Sequence, residues 1–144
     1  MYLLDSNVYI RGFNDSKFGD ELREFHGKYL PQVTLSVVVV HELLAGATTA
    51  AKERSLRRGL IDPFKVRRRI HLPNQRTWEL SAIVDRRLRR LKRFSAILAK
   101  RSFFNDILIA ATARDLGATI ITENQKDFAI IGQVLDIKFS LPWP

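Results

Sequence analysis

The feature that most constrains the fold is a short apolar segment near the start of the chain that stops on a carboxylate. Residues 2–4 are apolar without alternation, which is typical of a strand buried on both faces of a parallel sheet, and Asp5 follows directly. Ligand sites in open α/β sheets lie outside the carboxyl ends of the strands, so this acid is well placed for chemistry. We expect Ser6 or Asn7 to cap a short helix that begins at Val8, and in a purely structural interpretation Asp5 only assists that cap.

The remaining segments alternate between strand-like and helix-like patterns, which predicts an α/β protein with a parallel sheet. Further strands are expected at 33–36, within 64–72, at 118–121 and at 137–139. Helices are expected at 18–30, from about 36 to 46, at 48–60, at 74–94 and at 103–116. Asp62 and Pro63 are expected to break the helix at 48–60. The residues expected to face inward from the helix at 74–94 include Trp78, Ile83, Leu88 and Leu91.

Length and composition limit the classes of protein. With 144 residues and 46% hydrophobic side chains, the chain is expected to form one domain, residues 1–144. The absence of cysteine excludes disulfides, thiolate metal sites and a cysteine nucleophile. Any metal must therefore be held by oxygen atoms or histidine. No signal peptide or membrane span is recognised, so the protein is expected to be cytoplasmic with no membrane partner.

Positive charge is concentrated in the middle of the chain. The net charge is +9, and residues 52–101 contain 17 Lys and Arg against 4 Asp and Glu. Such a tract is the expected footprint of a polyanion, nucleic acid before anionic membrane, although a solvated helix face would give the same composition. The centre of the predicted nucleic-acid surface is Arg86, Arg87, Arg89, Arg90 and Arg93.

Two further acids lie on predicted helices. Glu42 shares a face with apolar and small residues, so it should be half-buried and require a cationic partner, a metal or a raised pKa. Alternatively, it points outward beside His41. Asp106 is expected in the first turn of its helix, above small alanines that leave space over the acid. In a structural interpretation, Asp106 only interacts favourably with the helix N-terminus.

Asp5, Glu42 and Asp106 would form one metal-binding site if the sheet is parallel, because the strands and helices that carry them then meet at one edge of the sheet. Asn124 or Asp127, which follow the strand at 118–121, would complete the set of oxygen ligands with Asp5, Glu42 and Asp106. Clustered carboxylates repel unless a cation neutralises them, and Mg²⁺ or Mn²⁺ prefers such ligands. An acidic metal centre beside a basic tract indicates a phosphodiesterase acting through a metal-activated water.

Four stretches of the chain resemble, in order and spacing, the signature stretches of PIN-domain ribonucleases, in particular the VapC-type toxins of toxin-antitoxin pairs. The stretches are residues 3–7 (LLDSN), 42–46 (ELLAG), 105–111 (NDILIAA) and 121–128 (ITENQKDF). The resemblance implies a three-layer α/β/α sandwich with a central, mostly parallel sheet. It also implies Mg²⁺- or Mn²⁺-dependent endonucleolytic cleavage of RNA, a homodimer, and a small antitoxin that blocks the site.

The resemblance also assigns roles to individual residues. Asp5, Glu42 and Asp106 would be the catalytic acids, with Asp5 and Asp106 most directly on the metal. Asn124 stands where many members carry a fourth acid; its carbonyl can coordinate a metal or orient water but brings no charge. Asp127 either replaces that acid or holds its loop, and the loop role is favoured. Thr122 would hold Asp5, and Ser6 would support the site.

Two other function classes compete with this interpretation. An aspartyl-nucleophile phosphatase also begins from an Asp after the first strand, but it requires an acid two residues later, where this chain has Asn7. A non-catalytic PIN-like module would bind nucleic acid or an antitoxin with structural acids only. The histidines lack metal-ligand spacing, and Trp78 and Trp143 are expected in the core or an interface rather than as base-stacking platforms.

Overall fold

The computed structural model describes residues 1–144 and is built around one five-stranded, all-parallel sheet. The spatial order is β3-β2-β1-β4-β5, so β1 lies in the centre. The strands are β1 (Tyr2–Leu4), β2 (Val33–Ser36), β3 (Ile70–His71), β4 (Thr119–Ile121) and β5 (Lys138–Ser140). Leu4 pairs with Ile121 in the register between β1 and β4, which brings the carboxyl ends of these two strands together.

Helices cover both faces of the sheet, and the predicted three-layer α/β/α sandwich is confirmed. They are α1 (Ser6–Asn14), α2 (Ser16–Tyr29), α3 (Val37–Gly46), α4 (Ala50–Leu56), α5 (Asp62–Val66), α6 (Gln75–Arg90), α7 (Ser95–Leu98), α8 (Arg101–Leu116) and α9 (Gln125–Ile131). The central strands are buried on both faces and join one hydrophobic cluster with α1, α3 and α8. None of these helices has the length and apolarity that a membrane crossing requires.

The first helix begins two residues earlier than expected. α1 starts at Ser6, and its N-cap is Asp5, whose side chain accepts the Ser6 N–H. The expectation that Ser6 or Asn7 caps a helix from Val8 is therefore wrong. Asp is as good an N-cap as Ser or Asn, and here it is the first residue after the strand. The same side chain thus belongs to the end of β1 and the start of α1.

The expected break at Asp62 and Pro63 is also wrong. A π-helical turn, Arg57–Ile61, joins α4 to α5, and the Asp62 N–H donates to the carbonyl of Arg57 five residues earlier. Leu56, Ile61 and Asp62 all have right-handed helical backbone angles, so Pro63, which has no N–H to donate, lies within one continuous helical segment directly after the π-turn.

α6 faces the core with a different stripe of residues from the one its bulky side chains suggested. Its buried residues are Thr77, Ser81, Val84 and Leu88. Trp78 is 49% exposed and Leu91 37% exposed, so the prediction is confirmed for Leu88 and wrong for these two. Thr77 and Ser81 can be buried because their hydroxyls bond locally, to the Asn74 side chain and to the Trp78 carbonyl.

Tyr9 on α1 provides a test of the core. Its side chain is completely buried, and its hydroxyl has no hydrogen-bond partner. Tyr9→Phe should therefore raise the free energy of unfolding by about 1 kcal/mol, because it removes an unsatisfied buried polar group. Urea denaturation measures the difference, with Tyr29→Phe as the control at a partly buried tyrosine. Lower stability of Tyr9→Phe would show that the hydroxyl has a bonding partner in solution.

Candidate active site

Asp5 is fixed at the carboxyl end of β1 by three hydrogen bonds. It is 3% exposed. Its Oδ1 accepts the Ser6 N–H at 2.7 Å, and its Oδ2 accepts bonds from Asn7 Nδ2 and Thr122 Oγ1, both at 2.7 Å. The pairing of β1 with β4 explains the Thr122 contact, since the Asp5 N–H donates to the carbonyl of Ile121. Thr122 therefore makes the bond expected of it, while its supporting role in catalysis stays a prediction.

The segment after β4 closes the site from the other side. Thr122 Oγ1 accepts the Asn124 N–H at 2.9 Å, and Asn124 Nδ2 donates to Asp127 Oδ2 at 2.7 Å. The same amide lies 3.4 Å from Asp106 Oδ2. Asp127 lies in the first turn of α9, a helix that the sequence interpretation treated as loop. Its bond to Asn124 is the contact that a loop-holding role requires.

Asp106 projects from α8 and is 7% exposed. α8 begins at Arg101, so Asp106 lies in its second turn, and the expectation of a first-turn position is wrong. The favourable interaction of an acid with a helix N-terminus falls off within the first turn. The position of Asp106 therefore does not favour the interpretation in which it only stabilises the start of α8. Ala110 and Ala113 on the same helix are both completely buried, and the space that their small side chains were expected to leave over Asp106 stays a prediction.

Glu42 reaches the site from α3 and is partly buried, as predicted. Its Oε1 accepts a hydrogen bond from Asn105 Nδ2 at 2.9 Å, so its protein partner is an amide rather than the cation that burial suggested. Its Oε2 is buried with no partner. A buried carboxylate oxygen without a donor is costly unless a cation binds it.

The pKa values show that the carboxylates affect one another. For Asp106, burial and the carboxylates of Asp5, Asp127 and Glu42 raise the pKa to about 8. For Asp5, burial and the charge of Glu42 raise the pKa to about 6, against the lowering effect of the hydrogen bonds from Thr122, Ser6 and Asn7. Asp5, Glu42 and Asp106 therefore share one region of negative potential, in which a cation would be stabilised.

The residues present suit a hard divalent cation. The available donors are carboxylate and amide oxygens, as Mg²⁺ and Mn²⁺ prefer, and Glu42 Oε2 lacks any other partner. No three His, Cys, Asp or Glu side chains are already arranged to hold a metal. The assignment of Asp5, Glu42 and Asp106 as ligands stays a prediction.

Several contacts at the site were missed by the sequence interpretation. Asn7 and Asn105 hold Asp5 and Glu42, and Arg101 contacts His41 Nε2 at 3.1 Å. Arg11 pairs with Glu123, next to Thr122. Asn7 and Asn105 were visible as amides adjacent to the acids in the signature stretches. No local signal indicated the arginine contacts, because their partners are distant in sequence.

Three of the five arginines of the predicted basic surface bind other residues of the protein. Arg87 donates to the Val134 carbonyl and Arg93 to the Gln133 side chain, so both bind the segment after α9. Arg89 pairs with Asp85. Arg86 and Arg90 are exposed. A role for any of the five in nucleic-acid binding stays a prediction.

Comparison with protein families decides the classification. The model of the PIN domain matches residues 2–133, which is nearly the whole chain. The chain belongs to the PIN-domain family. Among curated proteins, none matches the sequence of this PIN domain.

Solved structures similar to this PIN domain include chains of VapBC complexes and of a toxin-antitoxin complex. A chain of the DNA-bound VapBC complex from Salmonella typhimurium is 20% identical with a TM-score of 0.74, covering 97% of this chain and 96% of that one. A chain of VapBC-1 from nontypeable Haemophilus influenzae is 23% identical with a TM-score of 0.69, covering 96% of each. A chain of a toxin-antitoxin complex from Klebsiella pneumoniae is 25% identical with a TM-score of 0.64, covering 90% and 91%. The similarity extends over the whole PIN domain and establishes its fold.

Proposed function

We propose that this PIN domain is a metal-dependent endoribonuclease and the VapC-type toxin of a type II toxin-antitoxin pair. The observation that carries the proposal is the group of acids Asp5, Glu42 and Asp106, in which burial and then the charges of the neighbouring carboxylates raise the pKa of Asp106 to about 8. Acids held this way without a cation are destabilising, so their burial favours a metal-binding function. Membership of the PIN-domain family supports the same conclusion.

Each site residue has a defined task in this proposal. Asp5, Glu42 and Asp106 would hold Mg²⁺ or Mn²⁺, which when bound stabilises developing negative charge and generates the attacking nucleophile from water. Ser6, Asn7 and Thr122 orient the carboxylate of Asp5. Asn124 orients Asp106 and, through its carbonyl, can position water; Asp127 holds Asn124.

The partners follow from the same assignment. The similar structures are complexes of toxins with antitoxins, which supports a small antitoxin as the partner of this chain. RNA is the proposed substrate, because the charge of +9 suits a polyanion. We further propose that the protein acts as a homodimer in the cytoplasm.

The alternative is a PIN-like module that binds RNA or an antitoxin without cleaving either. It is favoured by one feature, the neutral Asn124 where many resembling proteins have an acid. It predicts salt-sensitive RNA binding that is the same with and without divalent ions.

The test is RNA cleavage by the purified protein, separated from its antitoxin, in Mg²⁺, in Mn²⁺ and in excess EDTA. We expect endonucleolytic products with either metal, and a loss of activity in EDTA that added Mn²⁺ restores. Binding of RNA in EDTA, measured in parallel, shows that the protein remains folded without metal. Equal cleavage in EDTA and in Mg²⁺ would refute the metal-dependent site.

A further inference from the structure

Glu123, in the segment after β4, is held by α1 at two points. Its N–H donates to Asn7 Oδ1 at 3.2 Å, and its carboxylate forms a hydrogen-bonded ion pair with the guanidinium of Arg11. Asn7 and Arg11 are four residues apart on α1, so their side chains share a face of the helix. We call these two contacts on Glu123 the clamp. It joins the segment after β4 to the helix that Asp5 caps.

The clamp lies between the two residues that contact the site acids. Thr122, directly before Glu123, donates its hydroxyl proton to Asp5 Oδ2 at 2.7 Å. Asn124, directly after it, donates its N–H to Thr122 Oγ1 at 2.9 Å, and its side-chain amide lies 3.4 Å from Asp106 Oδ2. A displacement of Glu123 therefore moves both neighbours, and with them the hydrogen bonds on the two carboxylates.

The side chain of Arg11 is ordered by a second contact besides Glu123. Its Cζ lies 4.3 Å from the centroid of the Phe18 ring on α2, and the Phe18 ring packs on that of Trp143 with 5.2 Å between centroids. Asp15 Oδ2 is 3.8 Å from Arg11 Nε, beyond hydrogen-bond distance, so it is not part of the clamp. Most exposed ion pairs contribute little, because two free side chains must be ordered to form them. The contact with Phe18 reduces that cost for Arg11.

These contacts suit Arg11 to holding the segment after β4 better than to binding an RNA phosphate. Its Nη1 donates to Glu123 Oε1, and one face of the guanidinium is covered by Phe18. A phosphate bound at Arg11 would have to displace the carboxylate. Glu123 would then be an unpaired negative charge next to Thr122, the residue that bonds Asp5.

We propose that Arg11 is a positioning residue for RNA cleavage: by holding Glu123, it keeps Thr122 in place on the Asp5 carboxylate. This inference rests on the proposed ribonuclease function and assigns a role in it to a residue that contacts neither substrate nor metal. Small displacements of a reacting group lower the rate of the chemical step far more than they weaken binding. The expected signature is therefore a lower kcat at nearly constant KM.

The first experiment measures steady-state cleavage of RNA in Mg²⁺ by Arg11→Gln, Glu123→Ala and the double variant. Each single variant should lower kcat about tenfold and change KM by less than about twofold. The double variant should lose no more than either single one, because the two residues act as a unit. Arg57→Gln is the control and should keep the kcat of the parent. It also removes the positive charge of an ion pair, with Glu53, and its side chain is 46% exposed against 48% for Arg11.

Three results of this experiment would overturn the proposal. Equal kcat for Arg11→Gln and Arg57→Gln would show that the clamp is an ordinary surface ion pair. A raised KM at the kcat of the parent would show that Arg11 contacts RNA directly. Full recovery of kcat in the double variant would mean that the loss came from the uncompensated charge of Glu123 and not from a displaced segment.

The second experiment requires neither metal nor RNA. Amide hydrogen exchange in EDTA, followed by NMR, measures how often the segment after β4 opens. Arg11→Gln should speed exchange at the N–H groups of Glu123 and Asn124 about fivefold, as the loss of one such ion pair allows. Exchange at Ile109, completely buried in α8, should not change. Unchanged exchange at all three, or faster exchange at all three, would overturn the proposal.

The two experiments separate this inference from the proposed function. If the parent never cleaves RNA but Arg11→Gln speeds exchange at Glu123 and Asn124 alone, the ribonuclease proposal fails while the clamp stands. If the parent cleaves RNA and Arg11→Gln alters neither exchange nor kcat, the ribonuclease proposal stands and the inference about Arg11 is wrong.

Discussion

Asp5→Asn is expected to lower the rate of RNA cleavage on the order of a thousandfold, because it removes a charged ligand from the proposed metal. The helix cap survives this change, since Asn caps helices as well as Asp does. The variant should therefore remain folded and bind RNA. Single-turnover cleavage in Mg²⁺, with circular dichroism as the check on folding, measures the effect.

Asp15 supplies a matched control for this prediction. Like Asp5, it is an aspartate N-cap, with its side chain accepting the Phe18 N–H at the start of α2, but it is half-exposed and makes no hydrogen bond to Asp5, Glu42 or Asp106. Asp15→Asn should leave the cleavage rate unchanged. If Asp5→Asn and the parent cleaved equally, Asp5 would be a cap alone and the acidic site would have to be abandoned.

Asp106→Asn should stabilise the metal-free protein, and increasingly so as the pH rises. The pKa of Asp106 is raised from 3.8 to about 8 in the folded protein, so folding favours its protonated form. That contribution to stability is complete below pH 4 and is lost as the pH rises towards 8, because in this range the unfolded carboxyl ionises freely while the folded one retains its proton. Asn has no proton to lose. In EDTA near pH 8 we expect the melting temperature of the variant to exceed that of the parent by about 5–10 °C.

The two proteins should converge near pH 4, and Mn²⁺ at pH 8 should stabilise the parent much more than the variant. Asp20→Asn, at a highly exposed aspartate, is the control and should follow the parent at every pH. Thermal melts at pH 4, 6 and 8, with and without Mn²⁺, provide the measurements. A constant difference between Asp106→Asn and the parent across this range would contradict the raised pKa.

The sheet and the positions of the acids were predictable because local signals agreed with the fold. The apolar residues 2–4 indicated β1, the β-branched residues 119–121 indicated β4, and the polar residues that follow each strand now lie side by side. Ser36 marked the start of α3, where it is indeed the cap. No local pattern shows that Asp5, Glu42 and Asp106 come together in the folded protein. That expectation was supported by the resemblance of four ordered stretches to PIN-domain ribonucleases.

What could not be predicted depended on long-range packing or on competition between local signals. The buried face of α6 carries Thr77 and Ser81, while the bulky Trp78 is exposed. Hydrophobicity alone therefore predicted the wrong buried face for this helix. Pro63 read as a stop because sequence does not reveal the π-turn that precedes it. The contact between Arg101 and His41 joins residues sixty positions apart, and nothing local encodes such a pair.

The bond from Thr122 to Asp5 spans 117 residues of sequence, and this separation has a consequence during synthesis. β1 is made first, but its acid gains its final neighbours only when β4 has left the ribosome and docked beside it. A chain synthesised only as far as α8 therefore carries Asp5 without the Thr122 hydroxyl that holds it. Because β4 pairs directly with β1, the final arrangement of Asp5 is delayed until Thr122 has been made and β4 has folded.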